Sequence, residues 1–84
     1  MKNRDIIRDA AIRANVVTEE EAAEMEAGGR EIPFHTASGW EQKGYRVKDG
    51  ETGTEVRLWK KKDNDKFYLA RAYLYGSSQV EKDE

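Results

Sequence analysis

The residue types that most often perform hydrolytic or metal chemistry are scarce in this sequence. It contains no cysteine and one histidine, His35. Hydrolytic metal sites need several histidine or carboxylate ligands, and nucleophilic catalysis needs a base that is oriented by a third group. A lone histidine beside a helix start is more often a structural hydrogen-bonding residue. We therefore expect no catalytic residue, no metal site, no cofactor and no enzymatic activity.

A second kind of chemistry is indicated by cations and aromatic side chains in the middle of the chain. Residues 40 to 62 hold seven basic and four acidic side chains, whereas residues 1 to 31 hold five basic and eight acidic ones. Binding of a single nucleic-acid strand needs cations for the phosphates and exposed aromatic rings for base stacking. Because the formal net charge is -2, such binding depends on this local basic region.

Two helices are predicted at the N-terminal end. Apolar residues recur at three- and four-residue steps after Asn3, a suitable cap, at Ile6, Ile7, Ala10, Ala11 and Ala14. A second helix is predicted to begin at Thr18, because Thr18 and Glu21 form a capping-box pattern, and to end at Gly28 and Gly29. Acidic side chains at such a helix start are usually a solvated face matched to the helix dipole.

The rest of the chain predicts a short helix followed by strands. The helix lies within residues 35 to 44, with either Thr36 or a Ser38–Glu41 box as its cap and Gly44 as its end, and Trp40 is expected in the core. From Tyr45 the period changes to two, and a turn at residues 49 to 53 predicts a hairpin with residues 54 to 60. A third strand over residues 67 to 75 would complete a meander.

The expected architecture is α+β, with the N-terminal helices and the short central helix packed on one face of a roughly three-stranded antiparallel β-meander. We expect one domain over residues 1 to 84, ordered from about 3 to 80, with a frayed acidic tail at 81 to 84. The N-terminus carries mixed charge, and no apolar run approaches the ~20 residues that span a bilayer. These features favour a cytoplasmic protein without a membrane partner.

Strand alternation predicts which side chains share a surface. Arg57 and Trp59 fall on one face of their strand and Tyr73 falls on the same sheet surface, while Val56 and Leu58 face the other way. Arg46 and Lys48 are expected on the neighbouring strand, and residues 60 to 62 at its edge. The alternative is that Trp59 packs under the N-terminal helices and that the lysines only solubilise a loop.

Residues 33 to 80 resemble the N-terminal domain of the ArdC antirestriction family. The matching residues are His35-Thr36, Trp40, Gly44-Tyr45-Arg46-Val47, Gly50-Glu51, Gly53, Val56-Arg57-Leu58-Trp59-Lys60, Tyr75 and Gln79-Val80. The resemblance implies single-stranded-DNA binding by a stand-alone protein of a phage or other mobile genetic element. Full-length members also carry a metalloprotease-like domain, and no counterpart of it is expected within these 84 residues. Asp49 departs from the family pattern, which tends to have a basic residue in that turn.

The sequence therefore predicts non-enzymatic binding of single-stranded DNA, serving anti-restriction or another anti-defence role. The expected nucleic-acid-binding residues are Arg46, Lys48, Arg57, Trp59, Lys60, Lys61, Lys62 and Tyr73. The alternative is an anti-restriction or anti-CRISPR type of inhibitor that binds a bacterial defence nuclease by protein contact, with the glutamates of residues 19 to 26 as an acidic surface. A homodimer through the aromatic sheet face is a third interpretation.

Overall fold

The computed structural model describes residues 2 to 63 and 65 to 83. Met1, Asn64 in the predicted turn and Glu84 in the predicted tail lie outside the described residues. The elements, in chain order, are α1 (Asn3–Arg13), α2 (Glu19–Ala27), β1 (Phe34–His35), α3 (Ala37–Gln42), β2 (Tyr45–Val47), β3 (Thr54–Lys61), β4 (Phe67–Gly76), a 3-10 helix (Ser77–Gln79) and β5 (Val80–Lys82).

Local capping determines where α1 and α2 begin and end. The predicted capping box of α2 is present, with the Glu21 amide donating to Thr18 Oγ1 at 3.1 Å and the Thr18 amide donating to Glu21 Oε1 at 2.9 Å. At the other end Gly29 takes the left-handed conformation, with φ of 68°, and the Arg30 amide bonds back to the Met25 carbonyl. This pairing is a Schellman motif, which stops the helix as the glycine pattern predicts. Asn15 takes the same left-handed conformation just after the end of α1, with φ of 60°.

The short helix α3 anchors itself to the sheet through Trp40. Thr36 is its cap, because Thr36 Oγ1 accepts from the Gly39 amide at 3.0 Å. Trp40 is 6% exposed, and its indole Nε1 donates to the Tyr75 carbonyl at 2.8 Å. The expectation that Trp40 belongs to the interior is confirmed, and its one polar atom is satisfied there.

The expected α+β class with a three-stranded antiparallel sheet is confirmed, but the predicted meander has one wrong member. The strand order is β1-β4-β3, with β3 and β4 paired over eight residue pairs, from Thr54↔Leu74 to Lys61↔Phe67. The predicted hairpin between residues 45 to 47 and β3 is wrong. The two-residue strand β1 occupies the other edge of β4 instead, through Phe34↔Gly76 and His35↔Tyr75.

The strand β2 pairs with β5 in a separate two-stranded sheet, through Tyr45↔Lys82, Arg46↔Glu81 and Val47↔Val80. The expected fraying of residues 81 to 84 is therefore wrong for Glu81 and Lys82. The connection between β2 and β3 is held by the Gln79 side chain, whose Nε2 donates to the Thr52 carbonyl at 2.9 Å and to Glu51 Oε1 at 3.1 Å. Because of this long-range contact, β2 and β3 do not form a local hairpin.

The hydrophobic core lies between α1, α2 and one face of the sheet. Its buried members are Ala10, Ala11, Val17, Ala22, Ile32, Phe34, Val56 and Leu74. Leu58 and Ala72 are partly buried against this cluster, so alternate residues of β3 and β4 face the helices as alternation predicts. The alanines of α1 let the helix approach the sheet closely, and Phe34 and Leu74 fill the space between them.

A pair of hydrogen bonds joins the first turn of α1 to the outer edge of β3. Asn3 was expected to cap α1, but it is the first helical residue and its side chain does not cap the helix. Its Nδ2 donates to the Trp59 carbonyl at 3.0 Å, and its Oδ1 accepts from the Trp59 amide at 2.7 Å. The side-chain amide thus pairs with β3 as a neighbouring strand would, and it satisfies two backbone groups of an edge strand.

Replacing Asn3 by Ala should therefore loosen the end of the hairpin. We expect a loss of roughly 1–2 kcal/mol in the free energy of unfolding, since two hydrogen bonds to the backbone disappear, and faster hydrogen exchange of the Trp59 amide. Asn3→Asp keeps the acceptor for that amide and should retain part of its protection. Exchange rates measured by NMR would contradict this role of Asn3 if the Trp59 amide exchanged equally slowly in Asn3→Ala.

Candidate nucleic-acid interface

The face of the β3–β4 hairpin that points away from the helices carries four cross-strand pairs of side chains. In order along the hairpin they are Glu55↔Tyr73, Arg57↔Arg71, Trp59↔Leu69 and Lys61↔Phe67. We call these eight residues the outer face. Three cations and one carboxylate lie among four apolar or aromatic side chains, so the local charge is positive although the whole chain is slightly acidic.

Arg57 and Arg71 lie directly opposite each other at the centre of the outer face. Both backbone groups of Trp59 bond to Asn3, so Trp59↔Leu69 is a non-hydrogen-bonded pair. Arg57↔Arg71 lies two residues further along and is of the same kind. Side chains in such pairs stand close together, and like charges placed there disfavour the pairing.

The aromatic and aliphatic side chains of the outer face are open to solvent. Trp59 is 40% exposed, Phe67 60%, Leu69 46% and Tyr73 46%. Trp59 and Phe67 line a shallow depression with Lys2 and Asn3. The interpretation that Trp59 packs under the N-terminal helices is therefore wrong, because its side chain is exposed on the face of β3 that points away from the core.

Glu55 contacts two of its neighbours on the outer face. Its Oε1 accepts from the Tyr73 hydroxyl at 3.3 Å and lies 3.5 Å from Arg71 Nε. Lys61 Nζ lies 3.7 Å from a carboxylate oxygen of Asp65. Arg57 makes no ion pair within residues 2 to 63 and 65 to 83. Exposed pairs of this kind contribute about 0–1 kcal/mol each, so a phosphate can compete for Arg71 and Lys61.

Four of the predicted nucleic-acid-binding residues lie off the outer face. Arg46 and Lys48 were expected beside β3, but Arg46 is in the second sheet, where its guanidinium lies 3.1 Å from Glu81 Oε1. Lys48 follows β2, and its Nζ donates to the Ser78 carbonyl at 3.3 Å. Lys60 falls on the helix-side face of β3 but beyond the core, and Lys62 lies in the turn after β3; both are exposed. The structure brings together Arg57, Trp59, Lys61 and Tyr73.

Sequence reasoning did not include Phe67, Leu69 and Arg71 in the site. Alternation along residues 67 to 75 puts all three on the same side of their strand as Tyr73, so the sequence does contain the signal for their shared face. The register of β3 against β4 could not be predicted, because the turn between the two strands holds several polar residues and permits more than one alignment of the strands. Without the register, the opposition of Arg57 and Arg71 could not be predicted.

His35 contacts an aromatic ring of α3 and a carboxylate of the segment before β1. Its ring packs edge-on against Trp40, with ring centres 4.9 Å apart, and its Nδ1 lies 3.7 Å from Glu31 Oε1. Burial lowers the pKa of His35, opposed by the charge of Glu31 and assisted by that of Lys43. Over the described ranges of the chain, no three His, Asp or Glu side chains come together as metal ligands would.

The lowered pKa of His35 predicts how the stability of the fold depends on pH. The folded protein binds this proton less readily than the unfolded chain, so the contribution of His35 is present above its ordinary pKa of 6.5 and is lost as the pH falls below that value. Urea unfolding between pH 7.5 and about 5.5 should show a decreasing free energy of unfolding, and His35→Gln should flatten that decrease. An equal slope in both proteins would contradict the assignment.

Comparison of the chain with protein-family models, with curated proteins and with solved structures finds no match. Among the residues with described structure, no helix is long and apolar enough to cross a bilayer. The resemblance of residues 33 to 80 to the ArdC antirestriction family therefore stays a prediction.

Proposed function

We propose that this chain binds single-stranded DNA, without catalysis, on the outer face of the β3–β4 hairpin. The observation that carries the proposal is the opposition of Arg57 and Arg71 beside the exposed ring of Trp59. Like charges on directly opposed strand residues repel each other, and an anion between the two guanidinium groups relieves that repulsion. A phosphate group supplies that anion, and guanidinium groups bind phosphate through paired hydrogen bonds.

The aromatic side chains supply the second requirement of a single-strand site. Trp59 and Tyr73 lie on opposite sides of the arginine pair, about 13 Å apart along the hairpin at the ordinary rise of a strand. A strand whose phosphate contacts the arginines can stack bases on the rings at either side. Each stacked base contributes about 1–3 kcal/mol.

The exposed rings of the outer face favour binding of single strands over duplex DNA. Stacking requires an unpaired base, and a duplex presents its bases only at their edges. Because the contacts are ring faces and charges, we expect weak base preference and strong dependence on salt. The wider role, anti-restriction or anti-defence in a phage or mobile element, rests on the resemblance of residues 33 to 80 to ArdC proteins.

The proposal predicts separate effects for charge and stacking, measurable by fluorescence anisotropy with a labelled single-stranded oligonucleotide at several salt concentrations. Arg57→Gln and Arg71→Gln should each weaken binding and flatten the plot of log K against log salt by about 0.7, the effect of one phosphate contact on a single strand. Trp59→Ala should weaken binding roughly five- to 150-fold at every salt concentration, as the loss of a stacked base requires.

Arg46→Gln is the matched control, because Arg46 and Arg71 both have 62% exposed side chains and both contact one glutamate. It should leave the affinity and the salt slope unchanged. A loss in Arg46→Gln as large as that in Arg71→Gln would contradict the assignment to the outer face. Duplex DNA of the same sequence should bind more weakly than the single strand.

Absence of binding to any oligonucleotide would overturn the proposal in favour of its alternative, contact with a defence nuclease. The exposed glutamates of α2 whose side chains have neither an ion pair nor a hydrogen bond within the described residues, Glu19, Glu20 and Glu24, would then be the surface to substitute. That interaction would retain its affinity in Arg57→Gln and lose it when these glutamates are replaced.

A further inference from the structure

An open cavity of about 420 Å³ lies beside β1, and no residue of the outer face lines it. Its walls are the first half of α1, the end of α2, the segment that follows α2, and β1. The residues that line it are Arg4, Ile7, Glu26, Gly29, Arg30, Glu31, Ile32, Phe34 and His35. Its volume lies within the range of about 300–1,000 Å³ that is typical of small-molecule sites.

The floor of the cavity is apolar and belongs to the core. Phe34 is 1% exposed and Ile32 is 8% exposed, and Ile7 packs against the same hydrophobic cluster. On the wall at Gly29, a side-chain carbon would meet nothing within 4 Å. The positive φ that ends α2 favours glycine there, so the space stays open.

The carboxylates around the cavity already have partners. Glu26 Oε1 accepts from Arg8 Nη1 at 3.2 Å. Glu31 Oε2 accepts from Lys43 Nζ at 3.3 Å, and its other oxygen lies 3.7 Å from His35 Nδ1. Neither Arg8 nor Lys43 lines the cavity. Arg8 also lies 3.8 Å from Asp5 and 3.5 Å from Asp9, so it offsets only part of the charge of Glu26, while Lys43 offsets that of Glu31.

The two arginines at the rim differ from these carboxylates. Within the described part of the chain, neither Arg4 nor Arg30 forms an ion pair with a carboxylate. Both side chains are exposed, so they can turn toward a ligand at little cost. The cavity thus offers an apolar floor below and two uncompensated guanidinium groups at its rim.

We propose that this cavity binds a small apolar carboxylate, with the apolar body against Ile7, Ile32 and Phe34 and the carboxylate at Arg4 and Arg30. The guanidinium group matches a carboxylate through paired hydrogen bonds, and the floor removes the apolar body from water. This site is separate from DNA binding on the outer face, since none of the residues that line the cavity belongs to the outer face.

The test is a titration of the ¹⁵N-labelled protein with octanoate, followed by amide NMR, with octanamide as the uncharged counterpart. Octanoate should shift amides in residues 4 to 7 and 29 to 35. Arg4→Gln and Arg30→Gln should each raise its Kd roughly two- to fivefold, the effect of one exposed ion pair. Octanamide should bind more weakly than octanoate to the unsubstituted protein and equally to it and both variants.

Arg13→Gln is the control, because Arg13 lies at the far end of α1, is exposed and does not line the cavity. It should leave the octanoate Kd unchanged. Shifts confined to Trp59, Phe67 and Leu69, equal affinity for octanoate and octanamide, or no saturable shift would each overturn the proposal. Anisotropy with the oligonucleotide should be unchanged by Arg30→Gln, so failure at one site is distinguishable from failure at the other.

Discussion

The two hydrogen bonds between the Asn3 side chain and the backbone of Trp59 fix how the β3–β4 hairpin meets the helices. The hydrophobic core supports the hairpin only as far as Leu58 and Ala72, and the strands continue beyond it to Lys61 and Phe67. Past that point strand pairing and the Asn3 contact are the interactions that hold β3 in place. The same contact occupies the edge of β3, which limits pairing with another chain there.

The outer face is built in a way that stability alone does not favour. A cross-strand arginine pair repels, and rings that stay 40 to 60% exposed gain less from burial than core residues do. Glu55 offsets part of the repulsion through Arg71, yet Arg57 keeps its charge free of ion pairs within the described residues. Contiguous exposed apolar side chains rimmed by charge are typical of interaction surfaces. Function therefore accounts for the composition of this surface better than folding does.

The sequence predicted the features that depend on neighbouring residues, such as the capping box at Thr18 and the alternating faces of the two long strands. The prediction from sequence failed where a residue distant in the chain determines the local structure. Asp49 and Gly50 do form a turn, but Gln79 bonds to the connection that follows it, and β2 pairs with β5 instead of β3. Arg46 therefore lies outside the predicted interface and forms an ion pair with Glu81. Asn3 is a capping residue by type, and only the tertiary structure shows that its side chain bonds to β3.

The most direct test of this account uses the two tryptophans as internal reporters. Trp40 is buried with its indole bonded to Tyr75, and Trp59 is exposed on the outer face. In ¹H–¹⁵N spectra of the labelled protein titrated with an unstructured single-stranded oligonucleotide, the Trp59 indole signal should move saturably while the Trp40 signal stays in place. A saturable shift of Trp40 without Trp59, or binding that leaves both signals unmoved, would contradict DNA binding on the outer face.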